Sequence, residues 1–207
     1  MPEIESYYEQ YWEAPEDYDD PTTPMRQSLF KQRVQLPEGA TILDVGCGRG
    51  EFCAFFNSLG CKAEGIDLSK TGIEYARKQH PDVTFHAGST DILLPDRAGS
   101  YDAVFSSEVI EHLFDVDSYL EAIHGLLKPG GTFVLTTPYH GLIKNIVIDL
   151  TNYTKHYDPL GQHIRFFDKK GLDMCLRKWN LIPQSWTGYG RPWPLWKSFF
   201  VVCKKPA

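Results

Sequence analysis

Residues 40–50, ATILDVGCGRG, join an apolar, β-branched run to three glycines at alternate positions. The run predicts a buried strand, and EFCAFFNSLG at residues 51–60 predicts a helix that stops at a glycine. Glycines at a strand-to-helix turn let the backbone approach a ligand and adopt conformations that a Cβ forbids. The stretch therefore predicts a ligand-binding turn inside a strand-helix-strand unit.

The same alternation of strands and helices extends along most of the chain. Six further segments predict strands: CKAEGID (61–67), DVTFHAG (82–88), YDAVFSS (101–107), TFVLTTP (132–138), LIPQSW (181–186) and WKSFFVVCKK (196–205). Ser69 and Asp115 are expected to cap the helices after the second and fourth strands. Strands separated by helices with short connections predict an α/β fold, with a seven-stranded, mostly parallel sheet and helices on both faces.

Length and composition predict one domain over residues 1–207, because 42% of the residues are hydrophobic and can form a core. Two segments depart from the alternation. Residues 1–36 begin with aromatic residues among acids, and we expect them to form an N-terminal cap or lid over the ligand cleft. Residues 139–167 follow the fifth strand at the edge where doubly wound sheets bind ligands, so they are predicted to form a substrate-side insertion.

Composition restricts the partners. A formal net charge of −6 and a pI near 5.6 remove the positive field used in sequence-independent nucleic-acid binding. No apolar run of about 18 residues and no signal peptide are visible, so we expect a cytoplasmic protein without a membrane span. The five cysteines contain no CxxC pair, which argues against a zinc cluster. These features favour a small-molecule partner and leave the oligomeric state open.

The ligand class is indicated by an acid at the end of the second strand. Asp67 lies about 20 residues after the glycine turn, where a carboxylate can accept both hydroxyls of a ribose. The glycine spacing is GxGxG rather than the GxGxxG of dinucleotide sites, and Glu51 puts negative charge where a pyrophosphate would lie. An acid at that position is compatible with a cationic nucleoside ligand.

Four segments, LDVGCGRG, EGIDLS, YDAVFSSEVIEHL and LKPGGTFVLTTP, together resemble the successive motifs of class I S-adenosylmethionine-dependent methyltransferases. The resemblance covers residues 41–138 and implies a Rossmann-like fold, with S-adenosylmethionine as cofactor and S-adenosylhomocysteine as product. It also implies a set of cofactor-binding residues: Arg26, Asp44, Gly46, Cys47, Gly48, Asp67, Leu68, Ser89, Thr90 and Ser107.

The resemblance assigns roles to these positions. Asp44, Gly46 and Gly48 are expected to cradle the amino-acid part and the ribose of the cofactor. Asp67 is expected to bind the ribose hydroxyls, with Leu68 against the adenine. Cys47 is interpreted as a small residue that fills space beside the ligand.

The remaining positions are more distinctive. Ser89 and Thr90 occupy the place of an Asp-Ala pair in the family, so a hydroxyl or backbone contact to the adenine edge is expected there. Ser107 would lie beside the methionyl group. Arg26 matches an arginine that pairs with the methionyl carboxylate in quinone-biosynthetic O-methyltransferases. A solvated helix arginine is the alternative.

Glu108, Glu111 and His112 follow the fourth strand directly. In a helical turn, spacings of three and four place such side chains on one face. The sequence EVIEH resembles quinone-biosynthetic O-methyltransferases and small-RNA terminal 2′-O-methyltransferases, which use Glu, Glu and His with a metal, and His163 matches a later histidine of the RNA enzymes. These four residues are the predicted metal ligands, for Mg²⁺ or Mn²⁺.

His112, His163 and Glu108 are also the predicted catalytic residues, and metal-free base catalysis by His112 or His163 remains an alternative. A third interpretation is a solvated first turn, in which the helix dipole favours the glutamates and His112 has only a packing role.

Taken together, the sequence predicts an S-adenosylmethionine-dependent methyltransferase that methylates an oxygen of a small molecule with assistance from a divalent metal. Two alternatives remain, an RNA terminal 2′-O-methyltransferase and a non-catalytic S-adenosylmethionine-binding module. The absence of a basic run disfavours RNA. The presence of Glu108, His112 and His163 argues against a module that has lost its chemistry.

Overall fold

The fold was analysed in a computed structural model that describes residue 9 and residues 20–207. The helices are α1 (Thr23–Arg33), α2 (Glu51–Ser58), α3 (Lys70–Gln79), α4 (Leu94–Arg97), α5 (Val116–Leu126), α6 (Leu142–Thr151), α7 (Tyr153–His156) and α8 (Lys169–Lys178). The strands are β1 (Thr41–Val45), β2 (Lys62–Asp67), β3 (Thr84–Ala87), β4 (Tyr101–Ser107), β5 (Leu127–Pro138), β6 (Ile182–Tyr189) and β7 (Ser198–Lys204). Two 3₁₀ turns span Thr90–Leu93 and Ile110–His112.

The seven strands form one sheet in the order β3-β2-β1-β4-β5-β7-β6. The first five strands are parallel, and β7 runs antiparallel between β5 and β6. Val45 pairs with Ile66 on one side and with Ser106 on the other, which brings the carboxyl ends of β1, β2 and β4 to the same level. The predicted seven-stranded, mostly parallel sheet is confirmed.

Apolar side chains cover both faces of this sheet. Ile42 and Leu43 are neighbours in β1 and both are fully buried, yet they belong to different core clusters because adjacent strand residues face opposite sides. The cluster around Ile42 includes Phe30 of α1 and Phe56 of α2, whose ring centroids are 4.8 Å apart. A strand buried on both faces reads as a continuous apolar run, which is why ATILDV predicts the fold so clearly.

Local signals also fixed the helix starts. The Ser69 hydroxyl accepts a hydrogen bond from the Gly72 N–H at 3.0 Å, and the Asp115 carboxylate accepts one from the Ser118 N–H at 2.9 Å. Both predicted N-caps are therefore confirmed. One boundary differs: β5 begins at Leu127 rather than at residue 132, because the KPGG segment pairs irregularly with β4 before the regular ladder starts.

Residues 139–167 leave and rejoin the sheet at one point. Tyr139 bridges Phe167, and the His140 N–H donates to the Phe167 carbonyl at 3.0 Å. The intervening segment contains α6 and α7, and α6 exposes apolar side chains on its outer face, including Leu142 and Leu150. No helix among residues 20–207 is long and apolar enough to cross a membrane.

Candidate active site

A cleft opens at the carboxyl edge of the sheet, where the strand order changes direction between β1 and β4. It contains a cavity of about 210 Å³ and a smaller one of about 80 Å³. Arg26, Gly46 and Ser107 line both cavities, so these are neighbouring lobes of one cleft. All the predicted cofactor residues line one lobe or the other: Arg26, Asp44, Gly46, Cys47, Gly48, Asp67, Leu68, Ser89, Thr90 and Ser107.

The glycine turn has the conformation that its sequence predicts. Gly46, Gly48 and Gly50 have φ values of +75°, +49° and +82°, in the left-handed region that favours glycine. A Cβ on Gly46 would also collide with the side chain of Val109. Gly46 therefore combines a conformational and a steric requirement for the absence of a side chain.

The Asp67 side chain is held by two backbone N–H groups. Its Oδ2 accepts from Gly48 at 2.9 Å, and its Oδ1 accepts from Ser69 at 2.9 Å. Burial raises the pKa of Asp67, and these hydrogen bonds oppose that shift by stabilising the carboxylate. Each carboxylate oxygen can accept more than one hydrogen bond, so the fixed side chain can also bind hydroxyls from the cavity.

Asp44 and Cys47 lie in the smaller lobe and both are buried. Burial and the nearby Asp67 carboxylate raise the pKa of Asp44 to about 8. Burial raises the pKa of the Cys47 thiol well above its usual value. A neutral, buried thiol is unreactive, as its interpretation as a space-filling residue requires.

Arg26 projects from α1 into the cleft and only 4% of it is exposed, so it is not a solvated helix arginine. Its guanidinium donates hydrogen bonds to Ser107, Thr23 and Asp20, and it lies 5.4 Å from the centre of the Phe52 ring. The Nε atom is buried and has no hydrogen-bond partner among the residues that the structure describes. The cleft therefore contains a fixed cation with an unused donor.

Glu108 is not in the group of described residues whose ligand atoms come together, although its carboxylate is close enough to raise the pKa of Glu111, so its place among the metal ligands stays a prediction. Glu108 has a φ of +55°, and the following turn begins only at Ile110. Its carboxylate accepts hydrogen bonds from Thr136 at 2.8 Å, Tyr189 at 3.2 Å and Ser198 at 3.4 Å. It still lines the larger lobe, but its oxygens are held by hydroxyls from β5, β6 and β7.

Glu111, His112 and His163 do come together, with one ligand atom from each lying within 4.8 Å of the others. The rings of His112 and His163 make an edge contact with centroids 4.8 Å apart. Among the described residues, this is the sole group of three His, Cys, Asp or Glu side chains with such spacing. His163 is delivered by the end of the insertion, where the N–H groups of Ile164 and Arg165 donate to the Glu111 carbonyl.

Hydrogen bonds orient this group. Nδ1 of His112 lies 3.1 Å from the Gln162 carbonyl oxygen, which can only accept, so this nitrogen carries the proton and Nε2 is left as an acceptor. Nε2 of His112 lies 3.9 Å from Oε1 of Glu111, and that oxygen is buried without a hydrogen-bond partner in the described part of the chain. Burial lowers the pKa of His112, whereas burial and the Glu108 carboxylate raise that of Glu111.

Several lining residues were missed by the sequence analysis: Asp20, Gly88, Val109, Leu113, Tyr119 and Gln162. Gly88 had a usable signal, since it is a glycine just after β3 and level with the end of β2. The others carry no local signal, because they reach the cleft from helices and loops that only the fold brings together.

Half of the predicted N-terminal lid, residues 1–8 and 10–19, lies outside the described residues. Glu9 is described, and its carboxylate accepts hydrogen bonds from the N–H groups of Lys70 at 2.6 Å and Thr71 at 3.1 Å. It therefore caps the first turn of α3, next to Asp67.

Comparison with known proteins gave consistent matches. The family model described as a methyltransferase domain matches residues 21–183. A ubiquinone biosynthesis O-methyltransferase of Xanthomonas campestris is 35% identical over 133 residues, or 61% of this chain and 55% of the relative. The enzyme of the same name from Brucella melitensis is 28% identical over 194 residues, or 82% of this chain and 75% of the relative. The chain thus spans about half the length of the first of these relatives.

Two solved structures share the fold. The 1,6-didemethyltoxoflavin-N1-methyltransferase of Burkholderia thailandensis, bound to S-adenosylhomocysteine, has a TM-score of 0.74 at 21% identity. The match covers 99% of this chain and 88% of the Burkholderia chain. Phosphoethanolamine N-methyltransferase 2 of Haemonchus contortus, in complex with S-adenosyl-L-methionine, has a TM-score of 0.72 at 18% identity. The match covers 89% of this chain and 53% of the Haemonchus chain.

Proposed function

The chain belongs to the methyltransferase-domain family, within the class I S-adenosylmethionine-dependent methyltransferases, and we propose that it methylates an oxygen of a small molecule. One observation carries this proposal: a single cavity of about 210 Å³ is lined by the Asp67 carboxylate and by the His112 imidazole. The carboxylate can accept hydrogen bonds from the hydroxyls of a nucleoside, and the imidazole can accept the proton of an acceptor hydroxyl. The names of the relatives, ubiquinone biosynthesis O-methyltransferases, favour a small-molecule acceptor over RNA.

The residues of the cleft fit the cofactor. The Nε of Arg26, which has no hydrogen-bond partner among the described residues, suits a carboxylate, and the glycine at position 46 exposes backbone to both lobes of the cleft. We propose that Asp67 holds the ribose hydroxyls, that Leu68 packs on the adenine and that Ser89 and Thr90 contact its edge. Asp44 and Gly48 would hold the amino-acid end, with Arg26 on the methionyl carboxylate. When bound, S-adenosylmethionine supplies an electrophilic methyl group on a sulfonium.

His112 is the proposed general base. Its lowered pKa keeps the imidazole neutral at pH 7, and the Gln162 carbonyl leaves Nε2 free to accept a proton. His112 Nε2 would take the proton of the acceptor hydroxyl as its oxygen is methylated, while the electron pair of the broken methyl–sulfur bond would stay with the leaving sulfur. Glu111 lies on the same side of the ring as Nε2, with its Oε1 3.9 Å from that nitrogen. His163, which is exposed, provides the route of that proton to water.

A divalent metal at Glu111, His112 and His163 is the competing mechanism. The unpartnered Oε1 of Glu111 is a donor that a cation would satisfy. The group whose ligand atoms come together contains one carboxylate and two imidazoles, which suits Mn²⁺ or another transition metal better than Mg²⁺. Such an ion would acidify the acceptor hydroxyl.

The test is a methyl-transfer screen that detects S-adenosylhomocysteine, with phenols, sugars, hydroxy acids and short RNA as acceptors. Wild type is compared with His112→Gln and with the matched control His124→Gln, whose ring lies on α5 away from the cleft. Turnover that persists in chelator and is lost only in His112→Gln supports the base. Loss in chelator with recovery on adding Mn²⁺ supports the metal. Methylation confined to RNA or to amines would reject the proposal.

A further inference from the structure

The insertion contains a buried lysine that the proposed chemistry does not use. Lys144 lies on α6 and is 5% exposed. Its Nζ donates to the carbonyls of Tyr139 at 2.6 Å and Lys197 at 3.1 Å, so two of its three N–H donors have an acceptor among the described residues. No carboxylate among the described residues forms an ion pair with it. A buried ammonium without a counterion is unusual, because charges are buried chiefly in pairs.

Two imidazoles beside Lys144 also have unused nitrogens. Among the described residues, Nε2 of His156 is buried without a hydrogen-bond partner, and so are Nδ1 of His140 and Oδ1 of Asn145, although the Asn145 side chain is close enough to His140 to raise its pKa. The two rings are fixed in a closed box with Tyr157 and Phe166, in which neighbouring centroids are 4.9 to 5.3 Å apart. The rings are therefore held rigidly while their polar atoms are left unsatisfied, an arrangement that a polar ligand would complete.

Three cationic side chains, those of Lys144, Arg191 and Lys197, and two carboxylates, those of Glu108 and Asp149, act on this cluster. Burial, Arg191 and Lys197 lower the pKa of Lys144 to about 8, and burial, Lys144 and His156 lower that of His140 to about 4. Glu108 is the carboxylate that opposes this field at Lys144, and its oxygens are already held by three hydroxyls. A local excess of cationic groups in a chain of net charge −6 favours an anionic ligand and disfavours a metal ion.

The cluster is linked to the end of the cleft where the acceptor is expected through two consecutive residues: Lys144 donates to the Lys197 carbonyl, and the Ser198 hydroxyl donates to Glu108 in the large cavity. His163, which packs on His112, interacts electrostatically with both His156 and Lys144. Glu108 lines the large cavity and also interacts with Lys144. A molecule with its hydroxyl at His112 would therefore extend its far end toward this group of residues.

We propose that Lys144, His140 and His156 bind an anionic group, a carboxylate or a phosphate, of the methyl acceptor. The anion site is argued independently of the proposed function, and only the presence of a methylated hydroxyl rests on that function. Together, the anionic group and the hydroxyl define the acceptor class as an acidic hydroxy compound. Arg191, which is exposed at the turn after β6, strengthens the field through which the anion approaches.

The experiment measures binding, so that it does not depend on turnover. The full chain, loaded with S-adenosylhomocysteine, is titrated calorimetrically with two series of probes. One series is catechol, 3,4-dihydroxybenzoate and 3,4-dihydroxyphenylphosphonate, and the other is glucose, glucuronate and glucose 6-phosphate. Inorganic phosphate and benzoate test the anion alone. We expect an acidic member of one series to bind at least about tenfold tighter than its neutral parent, as a hydrogen bond to a charged group provides.

The variants identify the site. Lys144→Met should remove the preference for the acid and leave the affinity of the neutral parent unchanged. Lys155→Met is the matched control, since Lys155 is an exposed lysine of α7 in the same insertion. Because Lys144 also ties α6 to the sheet, Arg191→Gln provides a variant at an exposed position, with an expected loss of about threefold for acidic probes only.

The outcomes are distinct. Equal affinity of acids and neutral parents in wild type, or no measurable binding of any anion, would overturn the proposal. So would a preference that survives in Lys144→Met and in Arg191→Gln. If acids bind in a Lys144-dependent manner but no acceptor is ever methylated, the anion site stands and the proposed methyl transfer is rejected.

Discussion

The substitution Asp67→Asn tests the centre of the cofactor assignment with the smallest change in shape. Both carboxylate oxygens of Asp67 accept a backbone N–H, from Gly48 and from Ser69, each at 2.9 Å. An amide has only one oxygen, so its NH₂ group must face one of these donors and lose that hydrogen bond. Losing a hydrogen bond to a charged group typically costs about 1.5 to 3 kcal/mol. The same substitution removes the charge offered to the ribose hydroxyls.

We therefore expect the affinity for S-adenosylhomocysteine to fall by roughly ten- to a hundredfold or more, because each 1.4 kcal/mol is about tenfold. The melting temperature should fall by roughly 3 to 12 °C, given about 2 to 4 °C per kcal/mol for a chain of this size. Calorimetric titration measures the first quantity and scanning calorimetry the second. Asp82→Asn is the matched control, since Asp82 is an exposed acid before β3. Unchanged affinity in Asp67→Asn would refute the reasoning about the end of β2.

Three further predictions follow from the same cleft. Gly46→Ala should lose cofactor binding, because the added Cβ meets Val109 at a φ of +75°, and calorimetry should detect partial recovery in the double variant with Val109→Ala if the collision matters. Because Asp44 holds its proton up to about pH 8 when folded, against 3.8 as its ordinary value, its contribution to stability falls as pH rises between these values. The free energy of unfolding, measured in urea, should therefore decrease less with rising pH for Asp44→Asn than for wild type. Parallel curves of unfolding free energy against pH would contradict this. His112→Gln should reduce kcat by about 10² to 10⁴, and wild-type kcat/KM should rise with pH through a pKa below 6.5. A profile that is flat in wild type would exclude His112 as the titrating base.

The sequence alone determined the fold and one half of the cleft. Segments buried on both sides, such as ATILDV, must be nearly all apolar, and the helices after them start at capping residues such as Ser69. The glycine turn and Asp67 are likewise adjacent to the ends of strands, and parallel strands bring those ends to one edge. These features depend on neighbours in the chain, so a local pattern was sufficient to predict them.

The other half of the cleft was decided by tertiary structure. Glu108 looked like a partner of Glu111, yet its backbone adopts a positive φ and its carboxylate is held by Thr136, Tyr189 and Ser198, which are 28 to 90 residues away. Arg26 is buried because Ser107, 81 residues later, and Asp20 accept its hydrogen bonds. Lys144 has no sequence signal at all, since a lysine in an insertion is ordinarily exposed. Which side chain meets which across such distances depends on packing of the whole sheet, and spacing within one segment does not encode it.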